Sequence, residues 1–272
     1  MAWLNGTVKK NRYTQILEEI FFAHYEKGMK AFSFERTEIE ETAVRLAIPL
    51  PKNMGDLIYA FRFRSELPDA IKATAPSGQA WVIKLAGRAS YRFVLDRQWV
   101  IAPNTALVQV KVPDSTPGII ARYALDDEQA LLALVRYNRL VDIFTGIASY
   151  SLQNHLRTTV EGVGQVEVDE LYVGIDRRGA HYVFPLQAKG GNDKLGQVQI
   201  EQDVALCAEK FPNLICRPLG AQFLADGAIA LMEFTETTGG LRLAAERHYR
   251  LAPEEMLTAD DLAAYGAGAE GP

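Results

Sequence analysis

The sequence predicts a mixed α+β chain built in two parts, and three observations carry that prediction. Apolar residues recur at helical spacing in some segments and alternate with period two in others. In "VEVDELYVGIDRRGAHYVFPLQAKGG", residues 166–191, two apolar runs flank a polar turn, the pattern of a hairpin. Charge is divided unevenly: residues 1–122 carry 17 lysines and arginines against 12 acids, and the remainder 12 against 22. With 272 residues, 48% of them hydrophobic, the chain suffices for one large domain or two modest ones around a real core.

The front region is taken as 1–122. Residues 11–30 read as an amphipathic helix, with Ile16, Ile20, Phe21 and His24 at helical spacing. A second helix starts at Thr37, where Thr37-Glu38-Ile39-Glu40 fits a capping box, and runs to about Ala47. The prolines of "PLPKN" stop it. Asn53 caps a third helix, "MGDLIYAFRFR", whose buried face is Leu57, Ile58 and Phe61. Two strand runs follow, "AWVIKLAG" and "YRFVLD". Helix, turn, helix and β-ribbon is the order of a winged helix. The third helix would then enter a major groove, with Lys52, Asn53, Arg62 and Arg64 as its polar contacts. The alternative is that Arg62 and Arg64 only lay their stems over the core.

A linker with Pro103, Pro113 and Pro117 leads to the back region, 123–262. A helix is expected from Asp126 to about Ile147, then the hairpin, then a helix over 195–210 ended by Pro212. Strands are expected in "LICRPLGAQF", "AIALMEF" and "HYRLA", giving a mixed sheet flanked by helices. The Gly/Ala-rich tail, 263–272, is expected to be disordered.

Chemistry gathers at the hairpin. Side chains alternate along "YVFPLQAKGG", so Gln187 and Lys189 share a face. Pro185 cannot donate a ladder bond and marks a local break. Folding about Arg178 sets Asp169 beside Gln187 and Glu167 near Lys189. Glu170 alternates to the other face unless a bulge intervenes, and a one-residue slip would exchange it with Asp169 as the principal ligand. A carboxylate and an amide oxygen suit Mg²⁺, with Mn²⁺ as a substitute. A cation there would polarise a phosphoryl oxygen and help ionise a water, and Lys189 would orient that water.

This layout resembles the PD-(D/E)XK, or restriction-endonuclease-like, nucleases. In them an acid heads one strand and an acid-any-lysine triplet follows on the next. Val168-Asp169 stands where the family has Pro-Asp, and Gln187-Ala188-Lys189 stands for its acid-any-lysine. The helices on either side occupy the family's flanking positions, and the resemblance covers about Asp126 to Leu251. It implies a restriction-endonuclease-like sheet and metal-dependent DNA cleavage of a restriction or defence kind. Asp169 and Gln187 would be ligands, Glu167 or Glu170 would assist, and Lys189 would position the water. Duplex cleavage by single-strand sites implies a homodimer. Glutamine in place of the acid leaves a ligand oxygen without its charge, so metal affinity should fall. Some superfamily members are similar in using glutamine there.

Other polar residues are candidates for nucleic-acid contact. Gln199 and Gln202 share one helix face and resemble an extra motif of the superfamily's RecB-like branch, and the bland reading is a solvated face. Lys194 follows Gly190 and Gly191, and Arg157 could clamp a phosphate. His155, His181 and Glu161 lie near enough in sequence to be weighed, with structural roles the simpler reading.

Other classes are excluded by what is missing. No run is long enough to span a bilayer, and "MAWLNGTVKKNRYTQ" carries no apolar signal segment. Cys207 and Cys216 lack metal-ligand spacing, which suits buried thiols in a cytoplasmic protein. No nucleophile elbow, phosphate loop or dinucleotide fingerprint occurs. The net charge of -5 argues weakly against a nucleic-acid partner, whereas the basic front suits docking on duplex DNA. Two rival readings stay open. One is a DNA-binding regulator with an inactive nuclease fold; the other is a purely structural hairpin.

Overall fold

The computed structural model describes residues 12–50, 55–63, 66–87, 89–97, 101–123, 125, 127–190, 193, 195–237 and 240–267. The chain is mixed α+β, as expected, and divides into two compact units. The first takes in the described residues up to Arg97 together with Glu161–Gly164; the second is the rest.

In the first unit the order is α1 (Arg12–His24), β1 (Ala31–Glu35), α2 (Arg36–Arg45), α3 (Gly55–Phe63), a short α4 (Asp69–Lys72), β2 (Gln79–Leu85) and β3 (Ser90–Arg97). Ile16, Leu17, Ile20 and Phe21 recur at three- and four-residue steps and bury one stripe of α1. They meet Phe34, Trp81 and Phe93 from a three-stranded antiparallel sheet of order β1-β3-β2. Phe21 lies edge-on to both Trp81 and Phe93, with centroids 5.2 and 5.1 Å away. The expected helices and ribbon are present. Strand β1 was not foreseen, because "AFSFE" alternates over too few residues to stand out.

The cap of α2 differs from expectation. The Glu35 N–H donates to Glu38 Oε1 at 2.7 Å, so the reciprocal pair is Glu35 and Glu38, two residues before the Thr37–Glu40 pair read from sequence. Strand β1 runs into the helix without a loop, so the cap forms where the strand stops. Asn53, expected to cap α3, lies outside the described residues.

The second unit runs β4 (Gln109–Pro113), α5 (Gly118–Tyr123), α6 (Glu128–Tyr137), α7 (Leu140–Thr145), β5 (Ala148–Val160), β6 (Gly164–Ile175), β7 (His181–Lys189), α8 (Gln197–Lys210), β8 (Ile215–Cys216), β9 (Leu219–Phe223), β10 (Ile229–Thr237), β11 (Gly240–Ala252), a 3₁₀ turn and α9 (Ala259–Ala267). The large sheet has the order β4-β11-β10-β9-β7-β6-β5, with β8 also on β7. Strand β7 is antiparallel to β6 and parallel to β8 and β9; β4 runs parallel to β11.

Three details differ from the sequence reading. The single helix expected to end near Ile147 is two. The buried Asn138 donates to Leu134 O and Thr116 Oγ1, and Arg139 takes a left-handed φ of 50°, which turns the chain into α7. Residues 101–122 were placed in the front region, yet β4 completes the large sheet. The tail is helical as far as Ala267, and Tyr265 Oη accepts from Lys111 N at 2.9 Å. Among the described residues no helix is long and apolar enough to cross a membrane.

Pro185 fits inside β7 because of its neighbour. Strands β8 and β9 keep one register against β7, Val183 facing Cys216 and Leu186 facing Leu219. The gap between them sets Pro218 level with Pro185. Pro185 has no N–H to offer there, and Pro218 O accepts from Phe234 N at 2.9 Å on the β10 side, so the parallel ladder lapses at this level and no donor is stranded.

Candidate active site

Strands β6 and β7 pair from Ile175↔His181 at the turn to Glu170↔Leu186. This is the register obtained by folding the sequence about Arg178. The turn is closed by Asp176, whose Oδ1 accepts from Arg178 N at 2.8 Å and Ala180 N at 2.9 Å. Beyond Glu170 the side chains take over from the ladder. Asp169 Oδ2 accepts from Ala188 N at 2.9 Å, and Gln187 Nε2 donates to Glu167 O at 3.0 Å. Asp169 and Gln187 thus bind each other's strand at neighbouring positions.

Lys189 Nζ donates to Glu128 Oε1 at 3.1 Å, and the lysine side chain is only 13% exposed. Glu128 stands in the first turn of α6, whose cap is Asp127 accepting from Ala130 N at 2.9 Å. From the side of α8, Asp203 accepts from Gln187 Nε2 through both oxygens, each at 3.0 Å. Asp203 and Gln187 are almost wholly buried. Burial pushes the Asp169 carboxyl above the usual carboxylate range, against the pull of the Ala188 N–H and the Lys189 ammonium. Burial pushes Asp203 up further, and the nearby Asp169 charge adds to it, while the Gln187 N–H opposes.

Asp169, Gln187 and Lys189 are therefore brought together, with Glu128 and Asp203 beside them. Glu170 is not. It alternates to the face covered by α6, is fully buried, and holds Arg136 through Nε at 2.8 Å and Nη2 at 2.9 Å. Ser151 Oγ donates to it at 2.6 Å. No bulge intervenes between Glu170 and Ile175, so the alternation expected of a regular strand holds. Glu167 turns its carboxylate to Arg157 Nη2 at 3.0 Å and to His155 Nδ1 at 3.8 Å.

The other candidates scatter. Arg62 donates Nε to Ile83 O at 3.1 Å, which ties α3 to β2. Gln199 Oε1 accepts from Gly196 N at 3.4 Å and so caps α8, and Gln202 is buried. His181 is exposed at the start of β7, and Glu161 belongs to the first unit. Lys52, Asn53, Arg64 and Lys194 lie outside the described residues. Among the described residues no three His, Cys, Asp or Glu side chains form a metal-holding group.

Two residues escaped the sequence reading. Glu128 carried no signal beyond a helix start. Asp203 did: it sits between Ile200 and Cys207 at three- and four-residue steps, an acid inside the buried stripe of α8. In comparison with known proteins, no family model, no curated protein and no solved structure matches this chain.

Proposed function

We propose that the chain is a metal-dependent nuclease that hydrolyses DNA phosphodiester bonds, in a restriction- or defence-like role and as a homodimer. One observation carries the reading: Asp169, Gln187 and Lys189 gather where β6 and β7 part, with Ala188 N and Lys189 Nζ both engaged by carboxylates. The donor types fit Mg²⁺, since the Asp169 carboxylate and Gln187 carbonyl oxygen are hard ligands, and Glu128 is the nearby acid that can add charge. A divalent cation held there would polarise the phosphoryl oxygen and lower the pKa of an attacking water. Asp169 is fixed by the Ala188 N–H and so presents its carboxylate without searching rotamers. Lys189, shielded from solvent, brings a positive charge that orients a water and offsets charge building on the phosphate.

A second reading is favoured by a specific observation. Lys189 is already satisfied by Glu128 and Gln187 by Asp203, as in a site that has closed on itself. That suits a DNA-binding regulator with an inactive nuclease fold. A plasmid-nicking assay with Mg²⁺ or Mn²⁺ separates the two. Nicking that disappears in Lys189→Ala is the expected result. No cutting across metals and substrates would favour the regulator, and nicking indifferent to Lys189→Ala would move the chemistry elsewhere.

A further inference from the structure

We infer that Asp203 is a positioning residue which, with the main-chain carbonyl of Glu167, fixes which end of the Gln187 amide is left for a ligand. The inference rests on the nuclease reading for what that end would hold; the geometry stands apart from it. Gln187 Nε2 lies 3.0 Å from Glu167 O and 3.0 Å from each oxygen of Asp203. A main-chain carbonyl only accepts, so the NH₂ end must face it. The NH₂ has two hydrogens. Glu167 takes one, and the Asp203 carboxylate takes the other between its two oxygens. The planar amide then turns Oε1 away from all three acceptors, and Oε1 is the one atom Gln187 can offer a cation.

Burial makes the choice firm. Gln187 is 1% exposed and Asp203 0%, so water does not replace a lost partner. Reversing the amide would set Oε1 against three acceptor oxygens and forfeit both hydrogen bonds in a dry site. The arrangement explains a glutamine at this strand position. A carboxylate at 187 would lose the NH₂ that Glu167 O and Asp203 now accept from, and would set two buried acids against each other. The acid sits one layer back, on α8, and acts through the amide.

The test measures Mn²⁺ affinity of the full chain by calorimetry, with folding of each variant followed by denaturation. Asp203→Asn keeps an acceptor oxygen and should keep most of the wild-type affinity. Asp203→Leu should lower it. Gln187→Glu should bind no tighter than wild type and should unfold more readily. The double variant Gln187→Glu with Asp203→Asn exchanges the two groups and should bind Mn²⁺ about tenfold tighter than wild type. A folded Gln187→Glu protein that gains that factor alone would overturn the inference. If wild type binds no Mn²⁺, the nuclease reading falls and the Gln187 side-chain NH₂ resonances decide this one. Signals protected from exchange in wild type and Asp203→Asn but not in Asp203→Leu support it, and signals unchanged in Asp203→Leu overturn it.

Discussion

Two acids on the same hairpin do opposite work, and their surroundings say why. Glu170 is fully buried and held by Arg136 through two hydrogen bonds, which hold the guanidinium pKa above its usual value. Removing the arginine leaves a buried carboxylate that keeps the Ser151 hydroxyl but has lost its cation. Arg136→Ala should therefore destabilise the chain by about 3 kcal/mol, the low end for a broken buried pair because the arginine is partly exposed. Urea unfolding checks it, and a change under about 1 kcal/mol would show that water already screens the pair. Asp176 is different. The Ala180 N–H, followed by the Arg178 N–H and the Tyr182 hydroxyl, holds its carboxyl down to about 2. Its folded pKa is below the unfolded one of about 3.9, so the stabilisation is complete above that value and is lost as pH falls toward 2. Asp176→Asn should flatten the dependence of the urea midpoint on pH in that window. A profile as steep as wild type would assign the acid limb to another carboxylate. Of the two, Glu170 was partly legible: alternation placed it opposite Asp169, but no spacing rule links it to Arg136, 34 residues away.

Among elements, α6 shows how a local signal positions a distant group. Asp127 caps it through Ala130 N, and the next residue, Glu128, meets Lys189 at the end of β7. Asp127→Ala should cost about 1 kcal/mol of stability. It should also fray the first turn, so amide exchange should quicken at Glu128 and Ala130 while the centre of the helix is unchanged. Equal quickening along all of α6 would mean that packing, not the cap, holds its start. The hairpin register and most helices were readable because each rests on a short-range period or a turn residue. The break at Asn138–Arg139 was not. It depends on Asn138 finding Thr116 and Ser115, contacts made only after the chain has folded. Strand β4 was missed for the same reason: its partner β11 lies at the far end of the sequence.

For the whole molecule, the uneven charge bears on partners rather than on the fold. The surplus of lysine and arginine lies in residues 1–122, and the acid surplus lies behind it. Sequence named Lys52, Arg62 and Arg64 together as groove contacts, yet they should separate under test. Arg62 ties α3 to the carbonyl of Ile83 in β2, so it belongs to the scaffold of the first unit. If the first unit docks on duplex DNA, the logarithm of the affinity should fall linearly with the logarithm of salt concentration, with a slope of about 0.9 per phosphate neutralised. Lys52→Ala and Arg64→Ala should each lower that slope by about 1 and leave thermal stability unchanged. Arg62→Ala should do the reverse, lowering the melting temperature while the slope of the folded protein is preserved. Filter binding across a salt series, paired with thermal melts, reads both effects. Should all three variants lower stability and none alter the slope, the basic front would be a scaffold feature, and any DNA contact would have to come from the second unit.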